Sequence, residues 1–117
     1  MEKHIMLDLE TLGHNYNAPI IQIGVCVFNR DVVISTFYRT IDFEDLQNYN
    51  FTVDYSTIKW WMEQSNEARA SVIYGKHKLL ETLLDLEQFL HSVSADMLEI
   101  PIWSHATFDR DWETVKL

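Results

Sequence analysis

The sequence predicts a mixed α/β fold, helices packed on a mixed sheet. Three observations carry that prediction. Residues 4–41 hold three apolar, largely β-branched runs joined by connections too short for helical crossovers. From residue 54 onward the apolar period changes from two to nearly four. After a leucine-rich helical stretch, residues 100–104 return to strand composition. The order βββ-α-β is a layered α+β or mixed α/β arrangement.

Each element has its own justification. HIMLDLE (4–10) is short, apolar and bounded by polar residues, so it reads as a strand; PIIQIGVCVFN (19–29), interrupted by Gln22 and Gly24, reads as a second. NRD (29–31) supplies turn residues before a third strand, VVISTFYRTI (32–41), and so tight a connection makes an antiparallel hairpin. The loop TLGHNYNA (11–18) places the first strand in the same meander. DFEDLQNYN (42–50) has room for a helical turn or two. DYSTIKWWMEQS (54–65) reads as a capped helix, with Asp54 or Ser56 as N-cap and Ile58, Trp61 and Met62 on one face. SNEARASVI (65–73) starts another short helix. In KLLETLLDLEQFLHSV (78–93), Leu79, Leu80, Leu83, Leu84, Leu86 and Leu90 form a broad apolar stripe opposite Glu81, Asp85, Glu87 and Gln88. Pro101 marks the start or edge of the last strand, IPIWS (100–104).

Composition narrows the function classes. The 117 residues amount to one domain, 1–117, with 47% hydrophobic residues and no repeat or low-complexity tract. Cys26 lies in an apolar run and reads as a core residue; a lone cysteine forms no intramolecular disulfide, in keeping with a cytoplasmic location. No signal-peptide pattern and no membrane-spanning apolar stretch are evident, so no membrane partner is expected. Eighteen acidic against nine basic residues give a net charge of −9. Such a surface repels phosphates at long range, which argues against a protein that coats nucleic acid. It leaves open a metal-dependent enzyme acting on one.

The chemistry-bearing feature is Asp8 and Glu10. At i and i+2 on a strand, both side chains leave one face while Leu7 and Leu9 enter the core. Two like charges this close repel, and a divalent cation with oxygen ligands, Mg²⁺ or Mn²⁺, offsets that repulsion. Alone, D-x-E is weak evidence, because alternating acids on a solvated strand are common.

The surrounding stretches strengthen it. LDLET, a loop and IIQIGVCVF resemble the opening of the DEDD family of 3'-5' exonucleases, where D-x-E-T ends the first strand of a ribonuclease H-like fold. TIKWWMEQSNEAR (57–69) and PIWSHATFD (101–109) are similar to the middle motifs of the branch containing phage exonuclease A and related 3'-5' exoribonucleases. The resemblance spans residues 4–109. It implies that the last strand runs parallel beside the first. It also makes Asp8, Glu10 and Asp109 the catalytic metal ligands for Mg²⁺ or Mn²⁺, with Thr11 near the 3' end of a single-stranded RNA or DNA substrate. For Asp109 taken alone, an N-cap or surface carboxylate is the simpler reading.

Other residues keep two readings. Trp60 and Trp61 are about 100° apart on a helix, so both serve core or lid packing, or one, Trp61, stacks on a base. Gln64 and Arg69 are placed to contact phosphate, with a surface salt bridge the alternative for Arg69. His105 is a hydrogen-bonding residue of the loop before Asp109.

In the family a last motif follows, with a general-base His and a final metal-binding Asp. Here RDWETVKL (110–117) follows Asp109, and no His-x4-Asp spacing occurs in it. The resemblance thus implies a copy interrupted after its third motif, with weak or no hydrolysis by these 117 residues alone. In the complete domain, two metals about 4 Å apart clamp the scissile phosphate. Two rival classes remain: a binding module that keeps the fold and offers its acidic face to a nucleic acid or protein, and a structural domain whose acid pair is simply solvated. Neither the RNA or DNA choice nor the oligomeric state is written in the sequence.

Overall fold

A computed structural model describes residues 3–93 and 102–104. Four strands, β1 (His4–Thr11), β2 (Ile20–Phe28), β3 (Val33–Thr40) and β4 (Ile102–Ser104), form one sheet in the order β3-β2-β1-β4. β1, β2 and β3 are an antiparallel meander, and β4 pairs parallel with β1 through Ile5↔Ile102, Met6↔Trp103 and Leu7↔Ser104. Both relations are those expected from sequence. The β2–β3 hairpin is closed by Asn29: its side-chain carbonyl accepts the N–H groups of Asp31 (2.9 Å) and Val32 (3.0 Å). This is the local competition for backbone donors that makes asparagine a turn residue.

Alternation along β1 is strict. Ile5, Leu7 and Leu9 are buried, whereas Met6 and Asp8 are exposed and Glu10 is half-buried. The odd face enters a core with Ile23, Val25, Val27, Phe37 and Leu86, each such side chain contributing about 1.5–3 kcal/mol. At the end of β1 the register shifts: Glu10 opposes Gln22 while Thr11 opposes Ile20. Ile21 is therefore the extra residue of a β-bulge. That explains two consecutive fully buried isoleucines. Ile20 joins the core under the sheet, and Ile21 joins a second cluster with Leu12, Ile41, Leu46, Val72 and Leu79.

A 3-10 turn (Glu44–Asn48) leads into α1 (Tyr55–Met62), α2 (Asn66–Ile73) and α3 (Leu79–Val93). Helix α2 is N-capped by Ser65, whose hydroxyl accepts the Ala68 N–H at 3.2 Å. The start of α3 is served from afar. The buried Asp45 carboxylate accepts the Leu79 N–H at 2.8 Å and the Asn48 amide at 3.2 Å.

Three local expectations need correction. Leu80 and Leu84 are 61% and 51% exposed. The residues of α3 that meet the core, 79, 82, 83, 86, 89, 90 and 93, follow a narrower stripe, and 80 and 84 lie on its flank. Met62 is 65% exposed rather than sharing a buried face with Ile58 and Trp61, because α1 buries no residue fully and rests on the cluster through Trp61. Asp54 occupies the N-cap position of α1, yet its side chain does not cap. Its carboxylate serves the loop after β1 instead.

Candidate active site

The loop after β1 is held in place by the segment that precedes α1. The Asp54 N–H donates to Leu12 O (3.0 Å), and Thr52 N–H to Asn17 O (2.9 Å). The Asn17 amide donates to Asn50 O (2.7 Å), while the Asp54 carboxylate accepts the His14 N–H (3.0 Å). These bonds set α1 across the carboxyl end of β1. Gly13 permits the approach: a Cβ there would lie 3.1 Å from Ala18 Cβ and 3.4 Å from both Asp54 Oδ2 and Thr52 O.

Between the two elements opens a cleft of about 260 Å³. Glu10, Thr11, Gly13 and His14 form one wall, and Ser56, Thr57, Trp60 and Trp61 the other. Glu10 thus faces a groove with an aromatic wall. Asp8, one strand repeat back on the same face, is exposed beside Gly24 of β2, whose missing side chain leaves that face low. Glu10's cross-strand neighbour Gln22 is fastened to α2, its amide donating to Ser71 Oγ at 2.8 Å, and Ser71 donating on to Ala68 O at 2.6 Å. Among the described residues no group of three His, Cys, Asp or Glu gathers as a metal cage. Asp8 and Glu10 supply two hard oxygen donors on one rigid strand, a donor set suited to Mg²⁺ or Mn²⁺.

The other residues nominated from sequence take the following places. Thr11 is buried on the cleft wall, with its hydroxyl donating to Gly13 O at 2.6 Å and its own carbonyl 3.5 Å from the Trp61 indole N–H. The two Trp rings meet edge to face, 5.0 Å between centroids at 86°. Trp60 is the exposed member, at 52%, and Trp61 joins the second core cluster. Gln64 donates to Trp60 O at 2.9 Å. The Arg69 guanidinium donates to Met62 O at 2.9 Å and to Asn66 Oδ1, clasping the end of α1 to the start of α2. His105 and Asp109 lie outside the described residues. Sequence reasoning missed His14, Ser56 and Thr57. The His14 ring lies 3.4 Å from Thr57 Oγ1 across the cleft, a contact spanning 43 residues that no local pattern announces.

Residues 3–114 match the 3'-5' exoribonuclease Rv2179c-like domain. The chain belongs to this family. Among solved structures it is similar to the crystal structure of cell-death related nuclease 4 (CRN-4), with a TM-score of 0.60 and 14% identity over 92% of this chain. The chain spans 36% of that nuclease's length, and at 14% identity the likeness is one of fold alone, a mixed sheet with flanking helices. No curated protein sequence matches the chain.

Proposed function

We propose that the chain is a single ribonuclease H-like domain that takes the 3'-terminal nucleotide of single-stranded RNA or DNA into the Glu10 cleft. There it hydrolyses the terminal phosphodiester in the 3'-5' direction with the help of Mg²⁺ or Mn²⁺. The observation that supports this most is Glu10 on the wall of a cleft whose opposite wall is Trp60 and Trp61. Family membership supports the reaction class.

Asp8 and Glu10 would hold the cation, joined by Asp109, whose assignment rests on the A-T-F-D motif. A divalent ion bound there would activate water and stabilise charge on the scissile phosphate. The chain's own residues do the rest. A rigid strand fixes the separation of the first two carboxylates, so no loop ordering is needed on binding. Trp60, edge to face against Trp61, offers an exposed ring to a terminal base, an attraction that tolerates any sequence. The Thr11 hydroxyl is engaged by Gly13 O, so Thr11 acts by shaping the cleft wall beside Glu10. Gln64 and Arg69 hold the helix carrying the Trp pair in place, through Trp60 O and Met62 O.

Calorimetric titration of Mn²⁺ into the protein tests the metal site: saturable binding is expected, and Asp8→Asn should weaken it by removing a ligand and a charge. Unchanged binding in Asp8→Asn would overturn the site. Digestion of 3'-extended single strands is then followed with residues 1–117 and with a form extended by a family-like segment carrying a His and an Asp. Loss of about a hundredfold or more in Glu10→Gln is expected wherever shortening from the 3' end is seen. Metal binding without digestion in either form would favour a binding module of the same fold.

A further inference from the structure

On the far side of Gln22 from the Glu10 cleft lies a second and larger groove, about 510 Å³. Strand β3 contributes Tyr38, Arg39 and Thr40, and α2 with the turn after it contributes Tyr74, Lys76 and His77. Its chemistry is opposite to that of the whole chain. In a protein of net charge −9, two of the nine Lys and Arg residues line it, Arg39 and Lys76, against one acidic residue, Glu67. Among the described residues no carboxylate pairs with the Lys76 ammonium. The Arg39 guanidinium sits over the Phe37 ring, its carbon 4.4 Å from the centroid, with Nη1 donating to Tyr38 O and Nε buried without a partner among the described residues. The tyrosines that flank these cations are open, Tyr38 at 58% and Tyr74 at 75% exposure.

We propose that this β3–α2 groove is a second nucleic-acid contact, holding the part of a single strand that lies 5' of the nucleotide in the Glu10 cleft. The inference rests on the exonuclease reading and extends it. An exposed ammonium, Lys76, beside the exposed rings of Tyr38 and Tyr74 is what a single strand recognises: phosphate takes the charge and bases take the rings. Position supports the same occupant. Glu10, Gln22 and Thr40 are cross-strand neighbours in one row, so the two grooves are about 10 Å apart across two strand spacings. The groove also resolves how an acidic protein holds a polyanion. Attraction is concentrated beside the metal site, while the rest of the surface repels.

The test is fluorescence anisotropy with a labelled single strand of about twelve nucleotides in chelator, where neither metal binding nor hydrolysis takes part. The wild-type protein is expected to bind it. Lys76→Glu and Tyr74→Ala should each weaken binding about tenfold. Lys76→Glu should also lower the log–log salt slope by about 0.7 for each phosphate that Lys76 neutralises. Gln88→Ala, an exposed neutral change on α3 away from both grooves, should bind as wild type does, and working in chelator separates failure here from failure of the catalytic reading. A dinucleotide, too short to span the grooves, should be insensitive to both groove variants. Both variants alter exposed side chains, and thermal melts are expected to match wild type. No binding by the wild-type protein, or wild-type affinity in both groove variants, would overturn the proposal. So would an acidic peptide of equal charge binding as well as the oligonucleotide.

Discussion

The Asp54 carboxylate accepts the backbone N–H of His14 at 3.0 Å, joining two residues forty positions apart. That bond fastens the loop after β1 to the start of α1 and so fixes the width of the cleft. Asp54→Ala removes the acceptor and should cost about 1 kcal/mol in chemical denaturation. Asp54→Asn retains an acceptor oxygen and should cost less. If Asp54→Ala leaves both the denaturation midpoint and oligonucleotide affinity unchanged, the loop is held by its backbone bonds alone.

The adjacent tryptophans should separate in mutagenesis. Trp61 joins the Leu12–Ile21–Ile41 cluster, so Trp61→Ala is expected to cost about 2–3 kcal/mol of stability. Trp60 is half exposed, and Trp60→Ala should stay within about 0.5 kcal/mol of wild type. Its loss should instead weaken binding of a 3'-terminal nucleotide roughly tenfold. The reverse pattern, stability lost with Trp60 and binding lost with Trp61, would exchange their roles.

Gly75 is required by backbone proximity. A Cβ at this position would lie 1.8 Å from the Ile41 carbonyl oxygen and 2.5 Å from its carbon, where the chain after α2 runs beside Ile41. Gly75→Ala should therefore destabilise by more than about 3 kcal/mol or prevent folding. Gly24→Ala is the contrasting case. Its Cβ would meet nothing closer than Asp8 O at 3.8 Å, so stability should change by less than about 1 kcal/mol. Comparable losses in the two variants would refute this account.

Asp45 is a buried carboxylate with a structural task, accepting the first donor of α3. Asp45→Ala strands the Leu79 N–H and should cost about 1–3 kcal/mol. Hydrogen exchange should localise that loss to the first turn of α3, and Asp45→Asn should restore much of the protection. Uniformly faster exchange along the chain would instead indicate a general loss of packing.

Much of the fold was legible because it depends on short-range rules. The eight-residue loop and the three-residue turn leave no room for a helix, which forces an antiparallel meander. A period of two puts Asp8 and Glu10 on one face and Leu7 and Leu9 on the other, and the burial of β1 follows that alternation. Strings around D-x-E-T and the double Trp led to the family. The local reading overstated α3, because leucines at 80 and 84 satisfy hydrophobicity without lying on the stripe that meets the sheet.

By itself, then, the sequence determined the meander and the paired carboxylates, since periodicity and turn chemistry act over a few neighbouring residues, and its motif strings marked the family. Only the tertiary structure decided what faces Glu10. His14, Ser56 and Thr57 reach the cleft through bonds that span about forty residues, and the bulge at Ile21 shifts the register where β1 enters it. The β3–α2 groove has the same origin. Arg39 and Lys76 are ordinary cations in sequence, and they share a groove because backbone bonds from Lys76 and His77 to Thr40 bring the turn after α2 against β3. Such proximity follows from how amphipathic faces settle against one another, a global balance that no window of local sequence contains.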